Sequence, residues 1–232
     1  MTLINRDSKL RDIILNDPST ITVLDRFGIP LGVGDDKVDD ACCMHGINVE
    51  FFTTILNTFI NENYFPQHTL ERYSPIEIVD YLNKTYAYYE QNILPNIERH
   101  FSFLLSKAPS HNNNLVLMLQ FFNEMKNQLV ARINEDRYRW FPAICNNTLN
   151  CNNSDEVLLQ ASTLVINDDN IEDKIDDLIN MLIVHLKGDY DHNLGYAVIV
   201  AVLALKKDFK QNNRIRNRIL KPVSCAMLTK YE

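Results

Sequence analysis

Two helical segments of this 232-residue chain carry polar pairs spaced for joint chemistry, Arg132 with Asp136 and Asn212 with Arg216. Residues four apart lie one above the other on a helix face. Met118, Phe122, Met125 and Leu129 step at helical spacing onto the first pair. Val198, Val202, Leu205 and Phe209 step onto the second, and Ile219 resumes the apolar stripe. Both pairs are therefore expected on core-facing stripes. A core charge costs several kcal/mol unless it is paired and hydrogen-bonded, so ion pairing is the first chemistry to expect of them.

Metal chemistry has a thinner basis. Iron or manganese between helices needs imidazoles and carboxylates converging from several of them. The six histidines are His45, His68, His100, His111, His185 and His192, and no two lie three or four apart. Arginine is no substitute, because its guanidinium stays protonated and carries only donors. Phosphate loops, Cys-x-x-Cys pairs and nucleophile elbows are absent from the sequence, so no protein-only catalytic device is expected.

The elements that must position these residues read as helices throughout. Leu10 to Leu15, Ile21 to Phe27, Val38 to Met44 and Val49 to Asn61 form the first group. Asn16-Asp17-Pro18 ends the first of them, Gly46 stops the third, and Asp36, Asp39 and Asn48 supply helix starts. Ser74-Pro75-Ile76-Glu77 is a capping box with proline at the first helical position. From it a helix should run to about Lys107, burying Ile76, Val79, Leu82, Tyr86, Tyr89, Ile93, Ile97, Phe101 and Leu104, with a kink at Pro95. The next helix covers about Asn114 to Tyr138 and stops near Phe141-Pro142. An Asn-rich loop, Asn146 to Asn153, leads to one bent helix or two from Asp155 to Gly188. The last helix spans about Leu194 to Leu220, with a break near Asn212-Asn213 admissible, and its apolar start is read as buried.

The polar pairs followed by Trp140-Phe141-Pro142 and Leu220-Lys221-Pro222, with Leu24-Asp25-Arg26-Phe27-Gly28-Ile29-Pro30-Leu31-Gly32 near the start, resemble the hemerythrin-like domain. The likeness is closest to the family that repairs iron centres, and it covers nearly the whole chain. The resemblance implies an all-α fold: a small N-terminal helical domain over residues 1–65, a linker over 66–73, and an up-and-down four-helix bundle over 74–232. That family binds two irons through histidines and carboxylates. Carried across position by position, the ligands of its second bundle helix fall on Arg132 and Asp136, and those of its last helix on Asn212 and Arg216. The first-helix histidine falls on Ala87, the third-helix one near Asp168, and the one closing the first helix within Ser106 to Ala108. The N-terminal Cys-Cys pair is replaced by Gly32-Val33.

The expectation is a bundle that kept its shape and lost its metals, with no cofactor. Arg132, Asp136, Asp168, Asn212 and Arg216 are expected to form a polar network beside Ala87, where the family keeps iron. Such a protein is not an enzyme. It is expected to act as a regulatory or protein-interaction module in a stress response, with an unidentified protein partner and a homodimer admissible. The alternative is a di-iron protein with relocated ligands, drawn from Glu98, His100, His111, Glu124, Asp136 and Asp168, acting in iron-sulfur cluster repair or in sensing nitric oxide or oxygen. A third reading makes the vacated centre a pocket for a small anion between Arg132 and Arg216.

Composition bounds the rest. A hydrophobic fraction of 46% and only six glycines argue against disorder and against a loop-rich β fold. The formal net charge of −7 disfavours nucleic acid, despite Lys206, Lys207, Lys210, Arg214, Arg218 and Lys221 on the last helix. No apolar leader core precedes Arg11, and the run Leu194 to Leu205 is shorter than the roughly 20 residues that cross a bilayer. A cytoplasmic protein without membrane contact is expected. Five cysteines without a framework spacing fit a reducing compartment. Of the vicinal pair Cys42-Cys43, one thiol should face the core, and Cys145 with Cys151 brackets a loop.

Overall fold

The computed structural model describes residues 3–64, 66, 73–108, 113–149 and 169–222. These residues are helical, and the only β feature among them is an isolated bridge between Lys9 and Lys37. The helices are α1 Leu10–Asn16, α2 Ile21–Arg26, α3 Val38–His45, α4 Val49–Ile60, α5 Pro75–Tyr88, α6 Leu94–Lys107, α7 Asn113–Glu135, α8 Phe141–Leu149, α9 Ile171–Asn180 and α10 His192–Ile215. No helix among the described residues is long and apolar enough to cross a membrane. The chain divides into two compact units, Met1–Thr85 with Gln211–Glu232, and Tyr86–Lys210.

Local chemistry sets the ends in the first unit. Asn48 accepts hydrogen bonds from the backbone N–H groups of Glu50 and Phe51, satisfying donors that the start of α4 cannot pair internally. α3 stops because Gly46 takes the left-handed conformation at φ 65°, which lets Ile47 N–H reach back to the Cys42 carbonyl at 2.9 Å. The start of α3 lies one residue later than the Asp36 cap expected, with Lys37 flanking it and Asp40 accepting from the Lys37 N–H. Phe27 joins Phe52 edge-on at 4.9 Å and stacks on Tyr81 at 5.3 Å, around a core of Leu24, Phe51, Ile55 and Leu82.

In the second unit the apolar stripes are continuous. α7 buries Leu115, Met118, Phe122, Met125, Leu129 and Ile133, and α9, which packs on it, buries Ile171, Ile175 and Leu178. α10 contributes Val198, Val202, Leu205 and Phe209. One expected core residue of α5 is wrong: Ile76 is 36% exposed, and the stripe begins at Ile78 instead.

The prolines do something more specific than kink. A proline lacks the N–H for its turn, and its ring crowds the carbonyl four residues back. Before Pro95, Pro142 and Pro222 the helix widens into a π-turn, Tyr89–Ile93, Asp136–Trp140 and Arg216–Leu220. The N–H just ahead of each proline skips one residue: Leu94 bonds to the Tyr89 carbonyl, Phe141 to that of Asp136, and Lys221 to that of Arg216. The widened turn lets the helix continue, so the second long helix does not stop at Pro142 but runs on as α8 to Leu149. Likewise, α10 passes unbroken through Asn212-Asn213 and changes only at Arg216.

Candidate functional site

Ten and six residues before each of those prolines, the same kind of residue recurs. The positions are Thr85 and Tyr89, Arg132 and Asp136, and Asn212 and Arg216. In each helix the later residue opens the π-turn, and π-turns recur at functional positions in helices. The second and third pairs stand out in the sequence by their charge. The first, hidden by an ordinary threonine and tyrosine, could have been found by counting back from Pro95.

In the second unit Asp136 is 1% exposed. Its Oδ2 accepts the Tyr86 hydroxyl at 2.5 Å and lies 4.0 Å from Arg132 Nε. The same guanidinium reaches Asp169 through Nη1 at 3.0 Å and sits over the Phe209 ring, 5.1 Å from its centroid. Arg132 is thus held between two carboxylates and an aromatic face, with its side chain 9% exposed. Tyr86 stacks on Phe141 at 5.8 Å, and one turn along Arg137 pairs with Glu90 at 2.9 Å. These contacts tie the π-turn of the first long helix to that of the second.

Of the sequence candidates, Arg132 and Asp136 are therefore brought together. Asp168 lies outside the described residues, and its neighbour Asp169 makes the contact. Ala87 is half-buried. Tyr86 and Tyr89 are core residues, 3% and 0% exposed.

Asn212 and Arg216 belong to the first unit. Asn212 is 3% exposed, and its Oδ1 accepts the Thr85 hydroxyl at 3.4 Å. Arg216 is also buried, with Nη1 donating to Asn217 Oδ1 at 3.0 Å. Between them stands a residue that the sequence shows only as one of the basic residues of the last helix. Arg214 is 8% exposed, and its Nη1 donates to the Thr58 carbonyl at 2.8 Å and to Gln211 Oε1 at 2.7 Å. Its Nη2 serves the carbonyls of Asn61, Glu62 and Tyr64 at 3.0, 2.6 and 3.1 Å. These carbonyls close α4 and the segment after it, where the helix leaves acceptors without internal partners and favours a cation. Burial depresses the Arg214 pKa, aided by Arg218, while Glu62 opposes.

These arrangements pair or hydrogen-bond buried charge. Asp136 already accepts from Tyr86 and faces Arg132, so a divalent ion there would have to displace a guanidinium. Among the described residues no group of three His, Cys, Asp or Glu converges in metal-binding geometry. Of the alternative ligands, Glu98 is paired with Lys126, Glu124 is exposed, His100 is half-buried, and His111 and Asp168 lie outside the described residues. The described residues around Arg132 and Asp136 do not fit a di-iron centre. A cavity of about 380 Å³ in the first unit is lined by Ile4, Ile13, Asn57, Ile60 and Asn61 among others, and Asn61 also gives its carbonyl to Arg214.

The vicinal thiols divide as their helix face dictates. Cys42 is buried and Cys43 exposed. Burial, with a smaller contribution from the Asp39 charge, pushes the Cys42 thiol up to about 11. At about pH 8 a maleimide is therefore expected to label Cys43 and spare Cys42, because only a thiolate attacks. Peptide mass mapping reads the ratio, and equal labelling would mean that α3 opens in solution. Cys145 is half-buried with its thiol also raised by burial, and Cys151 lies outside the described residues.

Comparisons of the chain with protein-family models, with curated proteins and with solved structures find no match.

Proposed function

We propose that this chain is a metal-free, non-catalytic relative of the hemerythrin-like iron-centre repair proteins, acting as a regulatory protein-interaction module in a stress response. In this reading its long helices form the family's up-and-down bundle behind a small N-terminal helical domain. The observation that carries the proposal is the Arg132 guanidinium between Asp136 and Asp169, with Tyr86 on Asp136. The resemblance puts iron ligands at Arg132 and Asp136, and an internal ion pair stands there instead. Family membership and stress role rest on the sequence resemblance alone.

A metal that binds only the folded chain raises its melting temperature in proportion to the logarithm of free metal over Kd. Ferrous, manganous and zinc ions at excess are expected to leave the melting temperature unchanged. A rise that Asp136→Asn abolishes would sink the proposal and return Asp136 to the role of ligand.

A further inference from the structure

The cavity of about 380 Å³ in the first unit lies where the N-terminal segment meets the ends of α1 and α4. Leu3, Ile4, Ile13 and Ile60 give it apolar walls. The N-terminal wall is tied down at two places. The buried Asn57 side chain accepts the Ile4 N–H at 2.8 Å and donates to the Ile4 carbonyl at 2.9 Å, while its second N–H holds the Thr53 carbonyl of its own helix. Further along, the Arg6 and Ser8 carbonyls accept from the N–H groups of Asp39 and Val38 at 3.0 and 2.9 Å. The space is therefore pre-formed, as ligand pockets usually are. Asn16 and Asn61 also line it. Asn61 Oδ1 accepts the Asn63 N–H at 3.0 Å, but neither its Nδ2 nor the Asn16 side chain has a hydrogen-bond partner among the described residues. No charged side chain stands among the described lining residues, and the carbonyls closing α4 are already served by Arg214.

We propose that this cavity binds a small uncharged aliphatic compound carrying one acceptor oxygen, its chain against Leu3, Ile4, Ile13 and Ile60 and its oxygen at the amide donors of Asn16 and Asn61. The apolar body supplies the driving force by leaving water. The oxygen supplies the selection, because an amide nitrogen only donates. An ion of either sign would lose its water and find no counter-ion in the described lining. The site uses residues of the first unit alone, so it holds whichever way the metal test of Asp136 falls.

Titration of the full chain with methyl hexyl ketone, followed by methyl-resolved NMR, tests the proposal. Saturable shifts are expected at the methyl groups of Ile4, Ile13 and Ile60, and octanoate and octylammonium, with the same number of carbons, should bind at least about tenfold more weakly. Ile60→Trp fills the space and should raise the ketone Kd by about tenfold. Leu3→Trp should do the same at a position 48% exposed, where the larger ring is tolerated should the first variant fail to fold. Asn61→Asp keeps the acceptor used by the Asn63 N–H but removes the donor, and it should weaken the ketone several-fold. Asn16→Lys puts a cation at an exposed position of the lining and should admit octanoate. Three results overturn the proposal: no saturable shift at the three isoleucines, ions that bind as well as the ketone, or ketone binding that both tryptophan variants leave intact. An unchanged ketone Kd in Asn61→Asp overturns the placement of the oxygen.

Discussion

Asp136→Asn is expected to lower stability by about 3–5 kcal/mol, the cost of breaking a buried ion pair from one side. The amide keeps the shape of the carboxylate and can still accept the Tyr86 hydroxyl, so the lost quantity is the charge facing Arg132. Asp169 cannot make up the difference, because its side chain is 27% exposed and shares its interaction with water. For a chain of this length the change lowers the melting temperature by roughly 10 °C, measurable by calorimetry. The informative comparison is the double variant Arg132→Met with Asp136→Leu. Removing both charges together leaves neither ion buried without its counter-ion and takes only the Tyr86 hydroxyl's acceptor, so part of the lost stability should return. A single substitution as benign as the double one would show that the pair is solvated.

The second large effect belongs to Arg214. Replacing it with methionine retains much of its volume but removes five hydrogen bonds, four of them to backbone carbonyls. The Asn61 carbonyl keeps the Tyr64 N–H, but an acceptor left inside without a donor costs energy beyond the bond itself, and about 3 kcal/mol overall is expected. Arg214→Lys should recover only part of it, because an ammonium is a point donor and cannot span Thr58 and Tyr64 as a planar fork does. Urea midpoints give the size of the loss. Hydrogen exchange gives its place: amide protection of Asn61 and Tyr64, which bond to the Asn57 and Asn61 carbonyls, should fall first. Uniform loss across the chain would mean that Arg214 supports the fold at large and not this segment.

The sequence-derived reading works where one local interaction decides. Asn48 starts α4 and Gly46 ends α3 because an unsatisfied backbone group needs a partner or a positive φ, and the residue type names the solution. The apolar stripes of α7 and α10 are equally legible, since one side of a helix must be buried. The failures come where burial is not confined to one helix face, or where backbone geometry overrides a residue-level signal. Around residues 211 to 216 the last helix is buried nearly all round, so periodicity nominates Asn212 and Arg216 and is silent on Arg214. At Pro142 the sequence shows a helix breaker, but a π-turn absorbs the missing donor and the helix continues. The carboxylate that meets Arg132 comes from Asp169, ahead of α9, where exact register is beyond what spacing can fix.

Iron content is the most direct test of the ionic core. The reduced protein is loaded with ferrous iron under anaerobic conditions, desalted, and measured for metal per chain by mass spectrometry. With Arg132 standing between Asp136 and Asp169, no retained iron is expected. Retention of a stoichiometric pair of irons, lost in Asp136→Asn, would contradict the ionic core and assign the site to metal chemistry.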